Sequence, residues 1–175
     1  MNAEEYRSQI DRLIREMSGE VILNGSHAHA SIIIERMFAN AEREVDILSR
    51  RFDPRIYGTC EALEQAELLL GDPDRRIRIL LEDSEAINLP EHPFLVRLRQ
   101  HFGQNLDVRQ LPQDMRPSVT VNFAVMDEAG YRLEQEKQDS VAVASFGATA
   151  FVKRLREFFQ VVWTRSAQVP LAAHA

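Results

Sequence analysis

Between residues 120 and 136 the chain carries polar side chains whose types and spacing could do chemistry: Thr120, Asn122, Asp127, Tyr131, Arg132, Glu134 and Glu136. Residues two apart on a strand share a face, so Arg132, Glu134 and Glu136 form one row. A guanidinium among carboxylates could bind a cation, a metal ion or a basic partner segment. The plainer reading is the solvated face of an antiparallel strand, with Arg132 and the glutamates in weak surface pairs. Glu82 and Asp83 add carboxylates at the carboxyl end of an expected central strand, where open α/β sheets place ligands.

Other reactive types carry weaker signals. His27 and His29 stand two apart at an expected helix start, where their rings diverge and face solvent. His27 would line a crevice if that helix N-terminus opened onto one, where backbone amides favour anions. His101 closes a helix whose dipole suits it. Cys60 is the single cysteine, lacks an activating neighbour and reads as a small buried or half-buried residue. Ser118, Ser140 and Ser145 have no nucleophile-elbow context, and no glycine-rich phosphate loop is present. The sequence therefore predicts no metal and no cofactor.

These side chains need elements to hold them. The chain has 175 residues, 45% hydrophobic and 27% charged, enough for one domain without disulfides or metals. Residues 3–17 read as an amphipathic helix, with Tyr6, Ile10, Leu13, Ile14 and Met17 along one stripe. A short strand in EVILNGS precedes a buried helix over 27–42, capped by Ser26. Strands are expected at 44–50, 75–83 and 106–111, and helices at 59–71 and 93–102. Three short runs, VTVNFAVMD, YRLEQEK and SVAVASF, read as an antiparallel meander. A last helix over 148–165 buries Phe151, Leu155, Phe158, Phe159, Val162 and Trp163. The pattern predicts an α/β fold: a mixed β-sheet flanked by helices on both faces. It divides into an N-terminal helix (1–20), one domain (21–166) and a flexible tail (167–175).

Charge and hydropathy bound the partners. No run approaches the roughly 20 apolar residues of a membrane span. The charged start, MNAEEYRSQIDR, is no secretory signal, so a cytoplasmic protein away from membranes is expected. A net charge of −6 disfavours non-specific nucleic-acid binding. Basic residues cluster only locally, at Arg50–Arg51, at Arg75, Arg76 and Arg78, and at Arg97 and Arg99.

EREVDILSR, DRRIRILLED, NFAVMD and FFQVVWTRS, in this order of elements, resemble one half-unit of the phospholipase D superfamily over roughly residues 25–166. That resemblance implies a strand carrying His-x-Lys-x-x-x-x-Asp, followed by a Gly-Ser-x-Asn element. With the aspartate on Asp127, the lysine falls on Asn122 and the histidine on Thr120. The second element falls on Glu134, Gln135, Glu136 and Lys137. The spacing survives, but the nucleophile, the lysine and the second element do not. Glu134 and Glu136 would further repel a phosphate at that place.

The resemblance also implies that a half-unit pairs with another. The expectation is a non-catalytic or regulatory binding protein, a homodimer or a heteromer, acting through Asn122, Asp127, Tyr131, Arg132, Glu134 and Glu136. The alternative is a phosphodiesterase or nuclease with a rebuilt, metal-dependent carboxylate site. Nucleic acid is the less favoured partner.

Overall fold

A computed structural model describes residues 2–135 and 142–169. Asn2 and Glu5 open the first helix, α1 (Ala3–Arg15), with a reciprocal capping box. Its stripe of Tyr6, Ile10 and Leu13 is buried. After β1 (Ile22–Asn24) comes α2 (His27–Asn40), whose N-cap Ser26 accepts from the His29 amide at 3.1 Å. Ile32, Ile33, Ile34, Met37 and Phe38 are all buried, so α2 is apolar around most of its girth and sits inside the layer.

β2 (Glu44–Ser49) leads through a short helix, α3 (Pro54–Tyr57), into α4 (Cys60–Leu70) and then β3 (Arg76–Leu81). α5 (Pro93–Phe102) connects β3 to β4 (Leu106–Gln110), and the three strands run parallel. The meander follows as β5 (Asn122–Met126), β6 (Gly130–Glu134) and β7 (Ala142–Ser145). β5 pairs antiparallel with β2, and β7 with β1. α6 (Thr149–Arg165) and the two-residue β8 (Ala167–Gln168) complete an eight-stranded sheet ordered β1-β7-β6-β5-β2-β3-β4-β8.

Alternation along the strands divides the core in two. Ile47, Ile79, Ala124 and Ala144 face helices α1 to α5, whereas Leu48, Leu80, Phe123 and Val125 face α6. Phe159, Val162 and Trp163 of α6 are buried, as its aromatic stripe predicts. The mixed sheet with helices on both faces is thus the observed architecture. No helix among the described residues is long and apolar enough to cross a membrane.

Three features differ from the sequence pattern. Residues 167 and 168 of the expected tail form β8, which pairs antiparallel with β4 through Arg109↔Gln168 and Gln110↔Ala167. α3 leaves no hydrophobic period in the sequence, because it has four residues; its cue is Asp53–Pro54, a cap followed by a first-turn proline. Cys60 is exposed, because it starts α4 on the side away from that helix's buried residues Ala62, Leu63, Ala66 and Leu69.

Candidate functional site

At the carboxyl end of β2 the chain turns through Arg50, Arg51, Phe52 and Asp53 before entering α3. Four polar contacts fix this loop. Asn122 Oδ1 accepts from the Arg50 amide at 2.9 Å, and Ser49 Oγ accepts from the Phe52 amide at 2.9 Å. His92 Nε2 meets the Phe52 carbonyl oxygen at 2.7 Å, and Asp53 Oδ1 accepts from the Arg55 amide at 2.9 Å. Phe52 is held at a φ of 46°, a conformation that costs a bulky L-residue about 1–3 kcal/mol. Its ring is fully buried and stacked on Tyr57 at 4.3 Å, so the core over-determines the strained turn.

The loop walls a cavity of about 370 Å³ with His27, Arg55, Ile56, Tyr57, Asn122, Arg132 and Glu134. Its floor is a polar row on the α2 face of the sheet. Asn122 on β5 stands opposite Glu134 on β6. Ser49 and Asn24 are also buried. Such side chains are rare in a sheet interior unless partnered or functional.

Arg132 dominates the floor electrostatically. It is 1% exposed, and its Nη1 donates to Glu134 Oε2 at 3.2 Å. Its Nε and Nη2 meet no acceptor among the described residues. Elsewhere this pair of nitrogens is the clamping edge. Arg78 uses it on Asp46 at 2.7 and 2.9 Å, and Arg97 on Glu67 at 2.8 and 2.6 Å. A buried guanidinium with one carboxylate and an open fork is an expensive arrangement, since an incompletely paired internal charge costs several kcal/mol. That unpaired edge has the geometry to clamp the two oxygens of a carboxylate or phosphate.

The field around the cavity acts on its neighbours. Burial pushes the Tyr57 hydroxyl up to about 12, with Arg132 pulling the other way. Burial likewise raises Tyr6 on α1, again opposed by Arg132. Burial also acts to raise Asp53, but the Arg55 guanidinium and amide outweigh it and hold the carboxyl below its ordinary value. His27 Nε2 lies 3.6 Å from Asp53 Oδ2.

The sequence-predicted residues separate into groups. Asn122, Arg132 and Glu134 come together at the cavity. Arg132 and Glu134 are buried rather than on a solvated strand face, because β6 is an interior strand and α2 covers that side. Tyr131 points to the opposite face, where its ring meets Phe151 edge-on at 4.8 Å. Asp127 lies at the far end of β5. Its carboxylate accepts from the amides of Glu42, Arg43 and Glu44 at 2.7, 2.9 and 3.0 Å, tying the β5–β6 turn to the entry of β2. Thr120 is exposed before β5 and does not line the cavity. Glu136 falls outside the described residues.

The histidines also differ from expectation. His27 is half-buried on the cavity wall, and His29 stacks on Tyr6 at 4.2 Å because α1 covers that side of α2. The expected repulsion of phosphate weighs less than it did in the sequence, since Arg132 offsets Glu134 and three more arginines line the cavity. What the sequence reading missed is the loop itself: RRFDPR directly after a strand, at the position where α/β sheets bind ligands, was the available signal. Among the described residues no three His, Cys, Asp or Glu side chains converge to hold a metal ion.

Solved structures resemble this arrangement. NucT from Helicobacter pylori superposes with a TM-score of 0.60 at 13% identity, over 86% of this chain and 99% of that one. Nuc from Salmonella typhimurium, a phospholipase D family member, gives 0.58 at 11% identity, over 86% and 97%. TrmBL2, an archaeal chromatin protein with a novel mode of DNA binding, gives 0.55 at 16% identity, over 95% of this chain. This chain spans 60% of TrmBL2's length. At such identities the likeness establishes the phospholipase D-like fold alone. No curated protein matches the sequence. A family profile does match, over residues 26–172, from the N-cap of α2 through the cavity-bearing strands to α6, and the chain belongs to that family, the domain of unknown function DUF7931.

Proposed function

We propose that the cavity binds a phosphate-bearing anion and that the protein is a binding or regulatory module rather than a hydrolase of the usual phospholipase D kind. The observation that carries this reading is Arg132, buried at the cavity with an Nε and an Nη2 that meet no acceptor among the described residues. Arg50 and Arg51 around the same cavity support it, as does the N-terminus of α2, which brings His27 to the wall. The absence of hydrolysis rests on the strand itself, where Thr120 and Asn122 stand in place of a nucleophile and a cation. Likeness to a DNA-binding chromatin protein and to a phospholipase D family member agrees with a ligand bearing phosphate. Pairing with a second copy, or with another half-unit, belongs to the same proposal; its support is the resemblance to a half-unit.

A thermal-melt titration with inorganic phosphate, against potassium chloride at matched ionic strength, tests the reading. The expected result is a saturable rise in Tm that weakens in Arg50→Ala and Arg51→Ala, two variants outside the core. A rise no larger than that in chloride would sink it.

A second reading is a hydrolase using His27, favoured by the 3.6 Å approach of Asp53 to its Nε2. Incubating a labelled oligonucleotide with the protein in EDTA, then in magnesium or manganese, distinguishes the two. Cleavage abolished by His27→Ala would establish the enzyme.

A further inference from the structure

Resting on the anion reading above, we infer that the cavity selects a phosphomonoester, bound end-on as a dianion, over a phosphodiester. Charge favours the monoester. Arg50, Arg51, Arg55 and Arg132 share the cavity with Asp53 and Glu134, leaving two positive charges in excess when His27 is neutral. A diester carries one negative charge, whereas a monoester carries about 1.5 to 2 at neutral pH. The dianion balances this excess; the diester leaves it half unmet.

Access favours it too. A diester carries chain on both sides, so a strand bound through its backbone needs a basic track leading away from the site. The chain as a whole carries −6. Several other basic groups are spent internally: Arg97 clamps Glu67, Arg78 clamps Asp46, and Arg76 pairs with Glu44 at 2.5 Å, as Arg55 in the cavity clamps Asp53 at 2.6 Å. Four arginines meet at this one concave place, which suits a terminal group.

Depth and size agree. Arg132 is buried, Arg50 half-buried and Arg51 exposed, so cations line the cavity at more than one depth. The cavity exceeds the size of a bare phosphate and falls within the range of small-ligand sites, about 300–1,000 Å³. Ile56 and Tyr57 offer an apolar wall to the organic part of the ester.

Methyl phosphate and dimethyl phosphate, compared by calorimetry at constant ionic strength, differ only in the second ester. Methyl phosphate should bind at least about tenfold more tightly, a gap of roughly 1.4 kcal/mol, and the gap should shrink in Arg50→Ala/Arg51→Ala. Equal affinities would overturn the monoester inference while leaving the anion reading intact. Binding of neither, by protein that melts cooperatively, would overturn both. A decanucleotide with and without a 5′-phosphate, beside a nucleoside 5′-monophosphate, separates a strand end from a free metabolite. Equal binding of the two decanucleotides, beside tighter binding of the nucleoside 5′-monophosphate, would assign the site to a free metabolite.

Discussion

His92 is buried, and its Nε2 lies 2.7 Å from the carbonyl oxygen of Phe52, the residue at which the cavity loop adopts a positive φ. The ring is thereby an anchor for the loop, and its ionisation bears on the stability of the whole site. Burial lowers its pKa below the ordinary 6.5, against the smaller pull of the Phe52 carbonyl and Asp53. The unfolded chain then binds the proton more readily than the folded one. This contribution is complete above about pH 6.5 and is lost as pH falls through the depressed native value. Urea unfolding should show stability falling as pH drops from about 7 to 5, with a flatter fall in His92→Gln. An unchanged slope in the variant would place the titration elsewhere.

Glu134 is the cavity's own anion, held by Arg132 at 3.2 Å and by Asn122 Nδ2 at 3.5 Å. Glu134→Gln keeps an acceptor for Arg132 but removes the charge that opposes an incoming phosphate. The variant should be less stable in plain buffer by about 1–3 kcal/mol, bind phosphate more tightly, and recover much of its Tm when phosphate is added. Weaker phosphate binding in the variant would mean that Glu134 acts on the ligand's side, by orienting Arg132.

Asp127 accepts three backbone amides at the opposite end of β5, from a backbone with φ of 46°. Asp127→Ala loses those bonds and strains the turn, at about 2–4 kcal/mol, whereas Asn tolerates positive φ and keeps one oxygen. Chemical denaturation should rank wild type above Asp127→Asn above Asp127→Ala. Phosphate affinity should be unchanged in both, since the turn is remote from the cavity.

A Cβ at Gly147 would lie 2.1 Å from the Met17 carbonyl oxygen and 2.8 Å from the Gly19 amide nitrogen. Neither neighbour is a flexible side chain, so backbone must move. Gly147→Ala should cost about 1–3 kcal/mol, and hydrogen exchange at the Phe146 amide, which donates to Ser18 at 3.2 Å, should accelerate.

Much of the frame is legible in the sequence because its signals are local. Pro93 starts α5 and Gly103 follows its end, and the apolar spacing of α1 and α6 marks their buried stripes. The site is less legible because its parts meet by register. Asn122 reaches the loop after β2 only because β5 pairs with that strand, residues roughly 75 positions away in sequence. Alternation correctly separates Arg132 from Tyr131, yet it does not reveal that α2 lies over the first and α6 over the second. Asp127 keeps its place in the motif spacing, but spacing is blind to which end of a strand a side chain serves.

The hydrogen-bonding pattern of the sheet has a kinetic consequence. β2, β3 and β4 pair through neighbouring crossovers, whereas β5 returns to β2 and β7 to β1 over separations of roughly 80 and 120 residues. Those distant closures are slow relative to the crossovers, so we expect the parallel half to be the earlier scaffold and the meander the later addition. The cavity straddles the seam between them. A nascent or partly unfolded chain would present Arg132 and Glu134 without the loop that shields them, and ligand would be captured only after the last strands dock.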